Sequence, residues 1–250
     1  MSRWRGNILS YDNAKTTKGE KHGWASFIFM GAPHEESGYN ACAGSSAGCR
    51  ATCLYYAGRG AFPQVKSARI RKTKLYFEDF TTFKSSMEKD IKSALNWADR
   101  NNLKPCFRLD GTTDLGVAQH FVSNNKTKQF YDYTKCPSRI RMAEKHDNWH
   151  ITYSLSENTT TNRMRILLAS NSNIAIPFHN VPEIGTRLLG REIVSGDETD
   201  LRFLDGMKKI VTLKVKGGKG KKTLNEDKKS TNGFILTDGA ALEKRFAALA

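Results

Sequence analysis

The sequence predicts an α/β fold, either a partial (β/α) barrel or an open, mostly parallel sheet, as a single domain over residues 1–250. Two observations carry this expectation. From about residue 26 onward, short strand-like apolar runs alternate with helical stretches, the rhythm of parallel strands joined by right-handed crossovers. The chain shows no internal repeat, and 250 residues suffice for one substantial core.

Residues 1–25 are rich in Lys, Gly and Asn and read as an irregular lead-in. Phe27, Ile28, Phe29 and Met30 form the first strand-like run. Phe83, Met87, Ile91 and Leu95 recur every fourth residue, which predicts a helix over 83–100. Ser85 with Glu88 fits a capping box, and Pro105 closes the far end. A strand follows at 106–110, after which Asp114 is placed to cap a helix carrying Leu115, Ala118, Phe121 and Val122. Residues 128–134 read as a strand, and Pro137 suits the first turn of a helix containing Ile140 and Ala143. A strand at 150–156, a helix around Met164, Leu167 and Leu168, and strands at 173–178 and 210–215 complete the alternation. A mobile basic segment is expected over 217–232. The chain then ends in a helix over 238–250 with Leu242, Phe246 and Leu249 on one side.

Cys42, Cys49 and Cys53 lie within twelve residues, directly after the first strand. Thiolates this dense without a secretion signal point to metal ligation more than to disulfides. The alternative is a buried thiol stripe on one helix face, but Gly44, Ser45, Ser46 and Gly48 argue against a continuous helix there; only the turn from Cys49 to Cys53 reads as helical. A zinc site needs a fourth ligand, which would have to come from His22, His34, Cys106 or Cys136. Three thiolates alone suit an iron–sulfur cluster with one iron open to an external ligand.

Forty Lys and Arg against 25 Asp and Glu give a net charge of +15 and a pI near 9.6. Such a balance favours a polyanionic partner, nucleic acid or a nucleotide. Lys66, Arg69, Arg71, Lys72 and Lys74 form one basic run, and a second extends from Lys208 to Lys229. No apolar run is long enough to span a bilayer, so the expectation is a soluble, cytoplasmic protein without membrane contact.

Parallel strands covered on both faces read as continuous apolar runs; several here do not. In one strand Phe107 and Leu109 oppose Cys106, Arg108 and Asp110. In another Ile151, Tyr153 and Leu155 oppose His150, Thr152, Ser154 and Ser156. In a third Asp132 and Thr134 share a face with Phe130. A polar-lined cavity removes the cost of burying such groups, about 1–3 kcal/mol each when unpaired. Ligands of β/α folds sit beyond the carboxyl ends of the strands, where the cysteine loop leaves the first strand. Candidate catalytic residues are therefore Arg108, Asp110, Asp132, Lys135, Ser154, Ser156 and Glu157. Asp114, Asp197, Asp200 and Arg202 are candidates for cofactor binding, with an internal ion-pair network as the alternative for the last three. His150 has no nucleophile motif beside it and reads as a hydrogen-bonded core histidine.

The chain resembles the bacteriophage gene-product-88 domain family through KTTKGEKHGW, the cysteine loop with GRGAF, RLDGTTD, FYDYTK, YSLSE and GDETDLRFLD. That resemblance implies a phage protein acting in the host cytoplasm. The cysteine loop after a first strand is also similar, more distantly, to radical S-adenosylmethionine enzymes, which have a partial (β/α) barrel. This similarity implies that Cys42, Cys49 and Cys53 hold a [4Fe–4S] cluster and that S-adenosylmethionine chelates the open iron. The departures are a spacing of six and three residues instead of three and two, Thr52 before the last cysteine where an aromatic is common, and no clear glycine-glutamate motif on the next strand. The leading expectation is radical chemistry on a nucleotide or nucleic acid; the alternative is a nucleic-acid-binding accessory protein with a structural zinc and no catalysis.

Overall fold

A computed structural model describes residues 4–11, 16–56, 58–215 and 233–249. The basic segment expected over 217–232 lies outside the described residues, and with it most of the second lysine run. The strands are β1 (Leu9–Ser10), β2 (Trp24–Phe29), β3 (Lys104–Arg108), β4 (Gln129–Thr134), β5 (Trp149–Ser154), β6 (Asn173–Phe178), β7 (Arg187–Leu188), β8 (Arg191–Ser195) and β9 (Ile210–Lys214). They form one sheet in the order β1-β2-β3-β4-β5-β6-β9-β8-β7. Pairings from β2 through β6 to β9, and of β9 with β8, are parallel. Only β1 and β7, at the two edges, run antiparallel to their neighbours. Of the two forms the sequence allowed, this is the open, mostly parallel sheet.

The helices are α1 (Thr16–Glu20), α2 (Ala47–Ala51), α3 (Pro63–Glu78), α4 (Phe80–Arg100), α5 (Pro137–Ala143), α6 (Thr161–Ala169) and α7 (Gly239–Arg245). Strands β1 to β6 follow one another in sequence order, so the winding never reverses across them. The main core accordingly lies on one face. Phe27, Phe29, Phe107, Leu109, Phe130, Ile151, Ile174 and Ile176 meet Phe83, Met87, Ile91 and Ala94 of α4, Ile140 of α5, Met164 of α6 and Leu242 of α7. The opposite face carries Ser26, Cys106, Arg108, Tyr131, Tyr133 and Thr152, alternating with the core residues as the pleat requires. Instead of a helix layer, the segment 196–205 lies across it, packing Leu201 and Phe203 against Cys106, Tyr131 and Trp24.

Several expectations need correction. Residues 1–25 are not irregular throughout: they contain β1, α1 and the start of β2. The long helix begins at Phe80, and its cap is Asp79, whose carboxylate accepts from Thr82 N at 2.9 Å; Ser85 donates instead to the Thr82 carbonyl inside the helix. No regular helix follows Asp114. Gly116 adopts φ +76°, which diverts the chain into short 3-10 turns at Val117–His120 and Ser123–Asn125. Cys53 lies beyond α2, which ends at Ala51 with Thr52 as its cap.

The amino-terminal strand is fastened by one carboxylate. Asp90, buried on α4, accepts from the backbone N–H groups of Asn7, Ile8 and Leu9 at 3.0, 2.6 and 2.9 Å. An Asp90→Ala chain should lose about 1–3 kcal/mol of stability, the cost of leaving such donors without their acceptor. Chemical denaturation measures the loss, and faster amide exchange confined to residues 7–9 locates it.

Candidate functional site

A cavity of about 280 Å³ opens at the carboxyl ends of β3, β4 and β5, a little below the usual ligand-pocket range of roughly 300–1,000 Å³. All three clustered cysteines line it, together with His34, Arg50, Arg108, Asp110, Asp114, Tyr133, Lys135 and Ser154. Cys42, Cys49 and Cys53 are half-buried free thiols. Burial pushes the Cys42 thiol up to about 12; a hydrogen bond from the His34 backbone opposes this, and Asp114, Cys53 and Cys49 add to it. Burial likewise raises Cys53, with Cys49 contributing. Cys42 and Cys53 therefore resist ionisation, and taking both as thiolates requires compensating positive charge.

The loop that presents the cysteines is held by distant contacts. Ser46 caps α2, accepting from Cys49 N at 3.3 Å and donating to Glu157 Oε2 at 2.6 Å. Gly48 N donates to Glu157 Oε1 at 2.6 Å. A Cβ at Gly48 would stand 2.4 Å from the Phe234 Cβ and 3.0 Å from Glu157 Oε1, so the close approach depends on glycine. The Glu157 turn is braced in its own right, because Arg245 of α7 donates to the carbonyls of Ser156, Glu157 and Thr159 at 2.7, 2.9 and 3.1 Å.

The polar residues of the strands divide into three groups. Arg108, Asp110, Lys135 and Ser154, with Asp114, line the cavity. Arg108 is buried and paired with Asp200 at 2.8 Å, its guanidinium 4.7 Å over the Tyr133 ring. Burial opposes its charge, but Asp200 and then Tyr133 outweigh that. Lys135 Nζ donates to Ser154 Oγ at 2.5 Å and lies over Phe234. Asp110 is tied up structurally, accepting from Thr113 Oγ1 and from the backbone N–H of Leu115, Gly116 and Val117 at 2.7–3.0 Å. Asp114 accepts from Thr134 Oγ1, Lys135 N and Arg139.

The second group lies outside the cavity lining: Asp132, Ser156 and Glu157. Asp132 shares the helix side of β4 with Phe130, where burial, then Asp110, pushes its carboxyl well above the usual range; one oxygen accepts from Asp110 N. The cavity side of β4 belongs to Tyr131 and Tyr133. The third group, Asp197, Asp200 and Arg202, sits in the segment 196–205. Asp200 meets Arg108, Arg202 pairs with Asp205 at 3.0 Å, and Asp197 accepts from Lys214 N while its carbonyl accepts from Lys18. None of the three lines the cavity, though Asp200 meets a lining residue, Arg108.

Of the four residues weighed as a further ligand, only His34 reaches the cavity. Its φ of 50° is a left-handed conformation uncommon for a side-chain-bearing residue. Cys106 is fully buried beneath the Ala25 carbonyl, and Cys136 contacts Asp114. Among the described residues, no group of three His, Cys, Asp or Glu side chains is placed to hold a metal ion. No described helix is long and apolar enough to cross a membrane.

The family profile of gene product 88 matches residues 7–236. The chain belongs to the gene product 88 family. The matched stretch includes the cysteine loop, every described strand and the turn of Glu157. No curated protein and no solved structure gives a significant match.

Two expectations follow. Replacing Glu157 with Ala should free the cysteine loop, and a thiol reagent should then modify Cys49 several-fold faster in the metal-free chain while Cys106 stays protected. His150 accepts from Asn173 Nδ2 at 3.4 Å, and burial, then Arg202, pushes it down to about 4. The unfolded chain therefore takes up this proton first, near pH 6.5. Stability should fall as pH drops from about 6.5 towards 4, and the denaturation midpoint of wild type relative to His150→Gln should decline through that window and stay level below it.

Proposed function

We propose that this protein is an iron–sulfur enzyme that uses S-adenosylmethionine for radical chemistry on an anionic substrate, a nucleotide or nucleic acid. The observation that carries the reading is the convergence of three free thiols on one cavity at the carboxyl edge of a parallel sheet, where ligands of such sheets bind. Cys42, Cys49 and Cys53 would hold the cluster. Their donor chemistry fits: burial holds the Cys42 and Cys53 thiols protonated, and binding to cationic iron offsets that penalty. A single zinc asks its ligands to meet at one point, whereas cluster thiolates each take a separate iron, which accords better with three cysteines spread around a cavity wall. When bound, such a cluster and its cofactor supply one-electron cleavage of a sulfonium bond.

The remaining roles belong to the chain. Lys135, held by Ser154 and without an ion-pair partner among the described residues, offers its ammonium to a carboxylate or phosphate. Arg108 gives the floor a fixed positive charge that Asp200 orients. Tyr133 and Tyr56 line the same cavity and shield it from water. The +15 net charge draws anionic substrates towards the molecule.

Anaerobic reconstitution with iron and sulfide tests the proposal. Wild-type protein should turn brown and hold about four irons per chain, and S-adenosylmethionine should change the electron paramagnetic resonance spectrum of the reduced protein. A Cys49→Ala chain should stay colourless. Colourless wild-type protein with about one zinc per chain would instead establish the structural-metal alternative.

A further inference from the structure

At the other end of the sheet, where β2, β3 and β4 begin, lies a second concavity of about 370 Å³. Trp24, Lys104, Lys126, Lys128 and Asn148 line it, and Asp147 is the single carboxylate in its wall. We propose that this groove binds the phosphodiester backbone of single-stranded nucleic acid, with one base laid against Trp24. The site is separate from the cysteine cavity and does not depend on the chemistry proposed there.

Three observations carry the inference. First, none of the three lysines has an ion-pair partner among the described residues, so their charge is uncompensated and directed at a common hollow. Phosphates bound there would release counterions, the main driving force for such complexes. Second, the groove is preorganised. Asn148 Nδ2 donates to the carbonyls of Val122, Asn125 and Lys128 at 3.2, 3.0 and 3.0 Å, and Asn125 Nδ2 donates to the Phe121 carbonyl at 2.8 Å. The turn bearing Lys126 and Lys128 is thus fixed before any partner arrives, which lowers the ordering cost of binding.

Third, Trp24 supplies the aromatic surface that phosphate binding alone would not need. Of the four tryptophans, Trp4, Trp97 and Trp149 are buried, and Trp24 alone is half-exposed. Phe203 packs against its ring in an edge-to-face arrangement at 4.8 Å, and the Lys104 ammonium lies over the ring, 5.7 Å from its centre, where it can swing to a phosphate as a base takes its place. An aromatic ring flanked by lysines in a groove is the arrangement that binds unpaired bases without regard to sequence. An acidic peptide would make no use of the indole face, and a flat membrane surface would not reach into a hollow.

The test is fluorescence anisotropy of a short labelled oligothymidylate titrated with the full-length protein over a range of potassium chloride concentrations. Wild type should bind with a steep salt dependence, and Trp24 emission should be quenched on binding. Lys104→Glu with Lys126→Glu should weaken binding at least tenfold and flatten the slope of log affinity against log salt by about 1.4, two phosphates at roughly 0.7 each. A control pair on the outer side of α4, Lys89→Glu with Lys92→Glu, should change affinity less than twofold, and Trp24→Phe should remove the quench. Equal losses in both pairs, or binding with no quench, would overturn the proposal. So would an oligoglutamate peptide or phosphatidylserine vesicles binding more tightly than the oligonucleotide and losing that binding in the same variant. The groove pair should reconstitute as wild type does, so this result and that for the cysteine loop are read independently.

Discussion

A parallel sheet whose strands are laid down in sequence order receives its crossover helices on one side, and the other side must be closed by different means. Here the closure is the segment 196–205, and the contact that seats it is the ion pair between Arg108 and Asp200. Both partners are buried, and removing two such charges from water costs several kcal/mol per ion before pairing. The pair is tolerated because each charge is oriented: Arg108 lies on Tyr133, and Asp200 sits in a segment tied at Asp197 to β9 and α1. With Leu201 and Phe203 filling the amino-terminal half of that face, only the carboxyl-terminal half is left open. The position and depth of the cavity follow from how far the segment reaches.

The same geometry gives the molecule two chemically different ends. At the carboxyl end, thiols, one lysine and a buried arginine surround a hollow with buried walls. At the amino end, lysines and an indole surround a groove formed by strand beginnings and the turn that Asn148 holds. The strands between them are five or six residues long, roughly 20 Å at about 3.3 Å per residue.

Much of the fold was legible because the central elements carry strong local signals. Strand β6 appears with its expected bounds, and α5 begins on Pro137 with Ile140 and Ala143 buried. Helix α3 was hidden because lysines and arginines occupy its surface and no clean apolar stripe marks it; Pro63 at its first turn was the available cue. β1 and β7 are two residues long and carry no periodicity to detect. The cysteine cluster and the polar sides of β3 and β5 pointed to the cavity. Tyr133 could have been found too, since alternation from Phe130 turns positions 131 and 133 inward and Asp132 outward. What no local pattern reveals is contact at long range. Ser46 and Glu157 are separated by 111 positions, and Arg108 and Asp200 by 92. Asp114 looked like a helix cap because caps are local, yet its partners come from β4 and α5.

The brace from Arg245 to the turn of Glu157 also has a temporal meaning. During synthesis the three thiols leave the ribosome about 190 residues ahead of that arginine, an interval of roughly ten to forty seconds at bacterial elongation rates. For the first half of that interval Glu157 is not yet made, and for the second half its turn lacks the support of Arg245. The cysteine loop therefore gains its full set of braces only once α7 has been made.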